Sequence, residues 1–216
     1  WEQVVSDASP AVFELREVPA LPYKDPGNYV RVSESVAEEL KESNPNGVIW
    51  ANQFDNVANR QGHYRTTGPE IWKQMDGKID AFVCGVGSGG TLTGIGSYFK
   101  QVAPQVEMVL ADPKGSILAP YVNEGIMIEP GSWLVEGIGE DFIPKNCDLS
   151  LVKRAYTITD EESINMSREI LQKEGIICGS SSGTLIAAAL KYCREQTEKK
   201  RVVTLVCDSG NKYLSK

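Results

Sequence analysis

Residues 79–94 read IDAFVCGVGSGGTLTG: an apolar run, a glycine-rich loop and the start of an amphipathic segment. The apolar run has the length and the branched side chains of a strand that is buried on both faces. The apolar residues that follow at helical spacing are Leu92, Ile95, Phe99 and Val102. A glycine loop between a strand and a helix gathers backbone N–H groups beside a positive helix terminus, which favours a phosphate ligand. The alternative is a tight turn, but Ser88 and Thr91 add hydroxyl donors that a turn does not require.

Composition places the chain among ordinary globular proteins. Hydrophobic residues make up 41% of the 216 residues, and charged residues make up 24%. The net charge of -7 argues against non-specific binding to nucleic acid or to an anionic membrane. The sequence shows no membrane-spanning apolar stretch and no signal peptide, so we expect a soluble, cytoplasmic protein without nucleic-acid or membrane partners. The five cysteines are scattered and form no C-x-x-C pair, which fits a reducing compartment.

Strand-like and helical segments alternate outward from the loop. Short strands are predicted at residues 48–51, 106–111, 155–158, 176–178 and 201–207. One helix is predicted over residues 29–44, and a second begins at Gly68-Pro69, with Ile71, Trp72 and Met75 facing the core. A third runs from the Thr159–Glu162 capping box to Gly175, and a fourth follows Gly183. This alternation predicts an α/β fold with three layers and a doubly wound, mainly parallel sheet.

Four loops follow predicted strands of this sheet, at 85–91, 112–116, 179–183 and 208–211. In such sheets the ligand lies beyond the carboxyl ends of the strands. We therefore expect the four loops to surround one pocket.

Several motifs make the sequence recognisable. Residues 84–91 (CGVGSGGT), 179–183 (GSSSG) and 52–54 (NQF) resemble the fold type II pyridoxal-phosphate enzymes that make cysteine or cystathionine. Within that group, residues 112–118 (DPKGSIL), 136–144 (EGIGEDFIP) and 207–216 (CDSGNKYLSK) are most similar to a bacterial cystathionine β-synthase. The resemblance covers residues 18–216. It implies the large domain of that fold, with pyridoxal 5'-phosphate as the cofactor.

The resemblance also implies roles for individual residues. The phosphate-binding loop of the family is matched by Gly87, Ser88, Gly89, Gly90 and Thr91. Ser181 matches a serine that hydrogen-bonds the pyridine nitrogen, and it can also cap its helix. A neutral hydroxyl at that nitrogen restrains the cofactor as an electron sink, which favours β-elimination and replacement over transamination.

Two further positions match the substrate side of the family's site. Gln53 matches a residue near the carboxylate of the amino-acid substrate, although a polar turn residue is nearly as good an interpretation of the sequence alone. Gly137 and Glu140, the latter in place of a tyrosine, fall where the family lines the approach of the second substrate.

One expected residue is missing. The family holds the cofactor on a lysine in an early Ser-x-Lys-Asp-Arg type motif, and a second early motif, Ser-Gly-Asn-Thr, binds the substrate carboxylate; neither occurs here. The lysines at 24, 41, 73 and 78 lie in connectors or on exposed helix faces, so the catalytic lysine is absent from this chain. We interpret the chain as a fragment that is inactive alone. Residues 1–50 are assigned to a remnant of the small domain and a connector, and 51–216 to the large domain, with residues 1–17 unlike the family.

The activity implied for the full protein is β-replacement, joining serine and homocysteine into cystathionine, by a homodimer acting on small amino-acid substrates. One alternative is cysteine synthase, which takes O-acetylserine and sulfide. An alternative of another class is a non-catalytic relative that keeps the fold as a binding or regulatory subunit.

The single histidine, His63, is interpreted as structural because no serine, cysteine or carboxylate motif accompanies it. No metal-ligand spacing occurs.

Overall fold

The computed structural model describes residues 15–213. Residues 15–52 belong to one compact unit and residues 53–213 to a second. The expectation that the first residues of the chain differ from the family falls largely on residues 1–14, which lie outside the described part. The assignment of the first unit to a remnant of a small domain stays a prediction. Within the described residues, no helix is both long enough and apolar enough to cross a bilayer.

The first unit contains helix α1 (Tyr29–Ser43), as the spacing of its apolar residues predicted. Asn28 begins the helix: its side chain accepts a hydrogen bond from the Val30 N–H at 3.0 Å and donates to the Leu21 carbonyl at 2.7 Å. The apolar face is weaker than predicted, because Ala37 is buried while Leu40 is 41% exposed.

The second unit begins with two helices and then alternates strands with helices. In chain order the elements are α2 (Ala58–Arg65), α3 (Thr67–Gln74), β1 (Ala81–Cys84), α4 (Gly90–Val102), β2 (Glu107–Pro113), α5 (Leu118–Glu124), β3 (Val152–Ile158), α6 (Asp160–Glu174), α7 (Ser180–Arg194) and β4 (Val202–Val203). Short 3-10 turns cover Leu149–Leu151 and Gly210–Tyr213.

These strands form one sheet in the order β3-β2-β1-β4, and each neighbouring pair is parallel. At its centre, Phe82 of β1 lies between Met108 of β2 and Val203 of β4. The connections between parallel strands carry helices, as such connections require. The α/β fold with a parallel sheet is therefore confirmed.

Two apolar clusters cover the two faces of the sheet, which gives the three layers. Successive residues of β1 point to opposite faces. One cluster includes Phe82 and Cys84 with Leu92, Ile95 and Phe99 of α4. The other includes Ala81 and Val83 with Leu185, Ala188 and Tyr192 of α7. The sheet is thus buried between α4 on one side and α7 on the other.

The predicted capping box opens α6. The Thr159 hydroxyl accepts a hydrogen bond from the Glu162 N–H at 3.2 Å, and the Glu162 carboxylate accepts one from the Thr159 N–H at 2.9 Å. The helix ends where Gly175 adopts a left-handed conformation with φ of 70°. Both ends of this helix were therefore predictable from local sequence.

Several predicted strands are wrong or too long. Residues 48–51 form no strand, and Ile49 is 96% exposed. Residues 176–178 contribute only an isolated bridge between Cys178 and Ser209. The last strand is confined to Val202–Val203, which pair with Ala81 and Phe82 of β1. An apolar run becomes a strand only where a neighbouring strand can accept its hydrogen bonds.

Helices α2 and α4 pack at unusually close range because α4 carries glycine where they meet. A Cβ on Gly94 would lie 2.4 Å from the Arg60 carbonyl oxygen and 2.6 Å from the Cβ of His63. Backbone atoms cannot retreat as a flexible side chain can, so a methyl group here must separate the helices.

We expect Gly94→Ala to lower the free energy of unfolding by about 1–3 kcal/mol because it overpacks this contact. Urea unfolding followed by far-UV circular dichroism measures the change. Gly62→Ala is the matched control, since no atom lies within 4 Å of a Cβ at that position of α2. The control should be neutral or stabilising by about 0.5–1 kcal/mol. Equal stability of the two variants would contradict the close packing.

Candidate functional site

A cavity of about 420 Å³ lies at the carboxyl end of β1. One wall is the loop between β1 and α4, and another is the start of α7 with the segment 205–208. The third is the stretch 136–138. The position is the one expected for the ligand site of a parallel α/β sheet.

The lining of this cavity does not include Glu140, which was expected beside the second substrate, but it includes the other residues predicted to bind the cofactor or the substrate. They are Gln53, Gly87, Ser88, Gly89, Gly90, Thr91, Gly137 and Ser181. The loops at 85–91, 179–183 and 208–211 each contribute lining residues. The structure therefore brings these positions together, while their individual roles stay predictions.

The fourth predicted loop, 112–116, does not line the cavity. Asp112 is fully buried, and its Oδ2 accepts a hydrogen bond from the Ala119 N–H at 2.8 Å, in the first turn of α5. The side chain is used to begin that helix, which the sequence analysis did not predict. The expectation that this loop shapes the pocket is therefore wrong.

The shape of the glycine-rich loop depends on residues that lack a Cβ. Gly89 has a φ of 80°, and a Cβ there would lie 2.4 Å from the Cβ of Cys147. A Cβ on Gly87 would lie 2.6 Å from the Gly137 carbonyl oxygen. The loop therefore folds tightly over Cys147, and its backbone touches the wall that carries Gly137.

Two helix N-termini contribute partial positive charge to the cavity. Helix α4 begins at Gly90, and the N–H groups of Thr91 and Leu92 have no acceptor among the described residues. Helix α7 begins at Ser180, and Ser181 is 4% exposed. No lysine or arginine lines the cavity in the part of the chain that the structure describes. An anion would therefore be held by N–H and hydroxyl donors.

His63 was interpreted as structural, yet it lines the cavity. Its Nε2 lies 3.2 Å from the Thr91 Oγ1, and its Nδ1 lies 2.9 Å from the Thr67 Oγ1. One helical turn earlier, Asn59 Nδ2 donates to the Ser88 Oγ at 2.9 Å. The spacing of Asn59 and His63, four residues apart on α2, was the sequence signal that could have identified both.

A half-buried carboxyl lies behind the glycine-rich loop. The Glu140 Oε1 would lie 3.9 Å from a Cβ on Gly87. Burial raises the pKa of Glu140 to about 8, and the neighbouring carboxylates of Asp141 and Asp112 add to the rise. Burial likewise raises the pKa of Asp112 to about 6. Glu140 therefore keeps its proton at neutral pH and adds little repulsion towards an anion.

The described residues contain no group of three or more histidine, cysteine or acidic side chains that could hold a metal ion. All five cysteines are free. The polar groups of the cavity are backbone N–H groups, hydroxyls, one amide, one imidazole and the thiols of Cys84 and Cys207, with the carboxylates Glu136 and Asp208 at its walls.

Comparison with known proteins agrees with this geometry. The family described as "Pyridoxal-phosphate dependent enzyme" matches residues 14–208. Cysteine synthase A of Escherichia coli K12 is 42% identical over 182 residues, which cover 83% of this chain and 56% of that protein. Cysteine synthase 1 of Neurospora crassa is 40% identical over 205 residues, covering 93% of this chain and 53% of the relative.

A cystathionine beta-synthase is similar to the same degree. The protein of that name from Apis mellifera is 42% identical over 182 residues, which cover 84% of this chain and 36% of the relative. The chain thus spans about half the length of the cysteine synthases and a smaller share of the cystathionine beta-synthase.

The raised pKa of Glu140 predicts a pH-dependent stability. The folded state holds this proton more tightly than the unfolded chain, whose glutamate pKa is near 4.5. The contribution of Glu140 to stability is therefore fully present below about pH 4.5 and is lost as the pH rises from there through about 8. We expect the free energy of unfolding to fall by roughly 1 kcal/mol per pH unit between about pH 6.5 and 8, the limit for one proton being about 1.4.

Glu140→Gln should remove this decline, because the amide does not ionise. Urea unfolding at several pH values measures it, and Glu129→Gln, on an exposed loop, is the control that should keep the wild-type profile. A profile unchanged by Glu140→Gln would contradict the raised pKa.

Proposed function

Because this chain belongs to the family of pyridoxal-phosphate dependent enzymes, we propose that the protein catalyses β-replacement on an amino acid, with a sulfur nucleophile as the second substrate. The observation that carries the proposal is the cavity where two glycine-serine loops meet, each leading into a helix N-terminus. The similarity to two cysteine synthases favours cysteine as the product over cystathionine.

The residues present fit the phosphate of the cofactor. The positive φ of Gly89 turns the loop so that α4 starts at the cavity, with the Thr91 and Leu92 N–H groups free of other acceptors in the described residues. Ser88 and Thr91 add hydroxyls at the same wall. We assign phosphate binding to residues 87–91, which offer a neutral set of donors of the kind that binds anions at helix N-termini.

Ser181 is assigned to the pyridine nitrogen. When bound, pyridoxal phosphate supplies an electron sink for negative charge at the α-carbon of an amino acid. The Ser181 hydroxyl is neutral and lies in the first turn of α7. The positive end of that helix disfavours a further proton beside it. Ser181 therefore limits how strongly the cofactor withdraws electrons, which supports replacement over transamination.

Gln53 and Gly137 are assigned to the substrate side of the cavity. Both line it, and Gln53 offers an amide donor suited to a carboxylate. The substrates we propose are small amino acids, and we expect the protein to act as a homodimer in the cytoplasm.

Cystathionine formation is the second candidate. The observation in its favour is the 42% identity to the Apis mellifera cystathionine beta-synthase, which equals the identity to the Escherichia coli cysteine synthase. The two activities use the same cofactor chemistry and differ in the second substrate, so a direct comparison of substrates separates them.

A non-catalytic binding role is the alternative of another class. It is favoured by the lack of any lysine in the cavity lining within residues 15–213. An amine is required for covalent attachment of the cofactor, so the fate of the cofactor on this chain tests that alternative.

We expect the 216-residue chain to bind pyridoxal phosphate without a covalent bond to any of its own lysines, because no described lysine lines the cavity. Borohydride treatment followed by intact-mass measurement and peptide mapping checks this. Excess inorganic phosphate should displace the bound cofactor. A stoichiometric adduct on Lys24, Lys78 or another lysine of the chain would contradict the expectation and show that the chain itself carries the attachment site.

For the protein expressed from its whole gene, we expect cysteine formation from O-acetylserine and sulfide to exceed cystathionine formation from serine and homocysteine. Mass spectrometry of the products measures both. Ser181→Ala should lower turnover by at least about tenfold, since a hydrogen bond to the reacting system is lost, while the cofactor stays bound. Faster cystathionine formation would favour the second candidate. If neither product formed, the result would favour the non-catalytic role.

A further inference from the structure

Helix α2 lies directly against the loop that forms the proposed phosphate site. A Cβ on Gly90 would lie 2.0 Å from the Asn59 Oδ1, and one on Gly94 would lie 2.6 Å from the Cβ of His63. The two glycines are one turn apart on α4, and Asn59 and His63 are one turn apart on α2. The absence of Cβ atoms on α4 therefore brings both polar side chains into hydrogen-bonding range of the loop.

The orientation of the Asn59 amide is fixed by a backbone carbonyl. Its Nδ2 lies 2.8 Å from the Gln53 carbonyl oxygen and 2.9 Å from the Ser88 Oγ. A carbonyl oxygen can only accept, so the nitrogen must face it. The two N–H groups then serve two acceptors, the Gln53 carbonyl and the Ser88 hydroxyl oxygen.

The Ser88 hydroxyl is consequently left as a donor. Its oxygen accepts from Asn59 and, at 3.4 Å, from the Gly90 N–H, which together occupy its two acceptor positions. The hydroxyl proton has no acceptor among the described residues, and Ser88 lines the cavity. A ligand that accepts hydrogen bonds satisfies this proton.

His63 has a matching relation to Thr91. Burial lowers the pKa of His63, so its ring is neutral, with one N–H donor and one acceptor nitrogen. The Thr67 hydroxyl faces Nδ1, and the Thr91 hydroxyl faces Nε2. If Thr67 donates to Nδ1, the Nε2–H donates to the Thr91 oxygen. The Thr91 proton is then free for the same ligand.

We infer that Asn59 and His63 are positioning residues that hold the Ser88 and Thr91 hydroxyls as donors to a phosphate group in the cavity. Neither residue needs to touch the ligand. Each donates an N–H group to the oxygen of a hydroxyl, so that the proton of that hydroxyl is left to point to the anion. The ligand class is a phosphate monoester or inorganic phosphate. The inference rests on the proposed function, since the anion concerned is the cofactor's phosphate.

A double-mutant cycle on the 216-residue chain tests the Asn59 arm, with phosphate binding measured by calorimetry. The ligands are inorganic phosphate and pyridoxal phosphate, and pyridoxal without phosphate is the reference. We expect Ser88→Ala and Asn59→Ala each to weaken phosphate binding by about tenfold, since each loses one directed hydrogen bond to an anion. The double variant should bind no more weakly than either single variant.

The His63 arm uses a conservative rescue. His63→Leu removes the ring nitrogens and should weaken phosphate binding by about tenfold, whereas His63→Gln keeps an N–H donor and should recover most of the loss. Asn59→Asp keeps the size of the amide but offers only acceptors to Ser88, so it should bind phosphate at least as weakly as Asn59→Ala. Gln61→Ala, on the exposed side of α2, should bind as the wild type does.

The outcomes separate this inference from the proposed function. Additive losses for Asn59 and Ser88, or a His63→Gln variant as weak as His63→Leu in a folded chain, would overturn the inference alone. Failure of the wild-type chain to bind either phosphate compound would overturn both. Coupled losses together with the glutamine rescue would support it, since a general structural defect would not be restored by one N–H group.

Discussion

The close contact between α2 and α4 is the constraint on which the cavity depends. Gly90 and Gly94 leave no room for a Cβ, because the Asn59 amide and the backbone of α2 occupy that space. Helix α4 starts at Gly90, at the carboxyl end of β1, where the Thr91 and Leu92 N–H groups have no acceptor among the described residues. One packing choice therefore sets the helix spacing, the loop shape and the donors at the site. A residue with a side chain at either position would disturb all three, which is why glycine serves here for packing as well as for turning.

A second contact of the same kind lies on the opposite face of the sheet. A Cβ on Gly183 would lie 2.0 Å from the Ser163 carbonyl oxygen, so α6 and α7 also meet at close range. The Thr184 hydroxyl donates to the Ser163 Oγ at 2.7 Å across this contact. The start of α7 is also bonded to the segment that follows β4, because the Cys207 N–H donates to the Ser182 Oγ at 2.8 Å. Ser181 lies between these anchors, which explains how a short loop presents one hydroxyl to the cavity in a fixed place.

Much of the fold could be predicted because its signals are local. The strand before the glycine loop, the capping box at Thr159 and most of the alternation of strands and helices could be read from neighbouring residues, but helices α2 and α5 were not predicted. The loop 85–91 lies at the cavity because β1 ends there. The loop 179–183 follows no strand of the sheet and is held at the cavity by contacts such as the hydrogen bond from the Cys207 N–H to the Ser182 Oγ. What failed depended on tertiary partners. The residues 176–178 are apolar but have no full neighbouring strand, and Asp112 was diverted to begin a helix. The contact of His63 with the loop was missed because Thr91, 28 residues away in the chain, reaches it only through the packing of α2 on α4.

The electrostatics of the cavity explain why charge alone would not have located an anion site. The chain carries a net charge of -7, and no lysine or arginine lines the cavity in the described residues. Long-range attraction of an anion is therefore unfavourable, and binding must come from dipoles that act over a few ångströms. Helix termini and N–H groups are fixed by the backbone, but a hydroxyl can rotate and point either its proton or its lone pairs at the ligand. In a site without cations, that choice decides whether Ser88 and Thr91 attract or repel a phosphate. Asn59 and His63, one helical turn apart on α2, determine the direction of these two hydroxyl protons. They therefore matter for phosphate binding as much as the glycine loop itself.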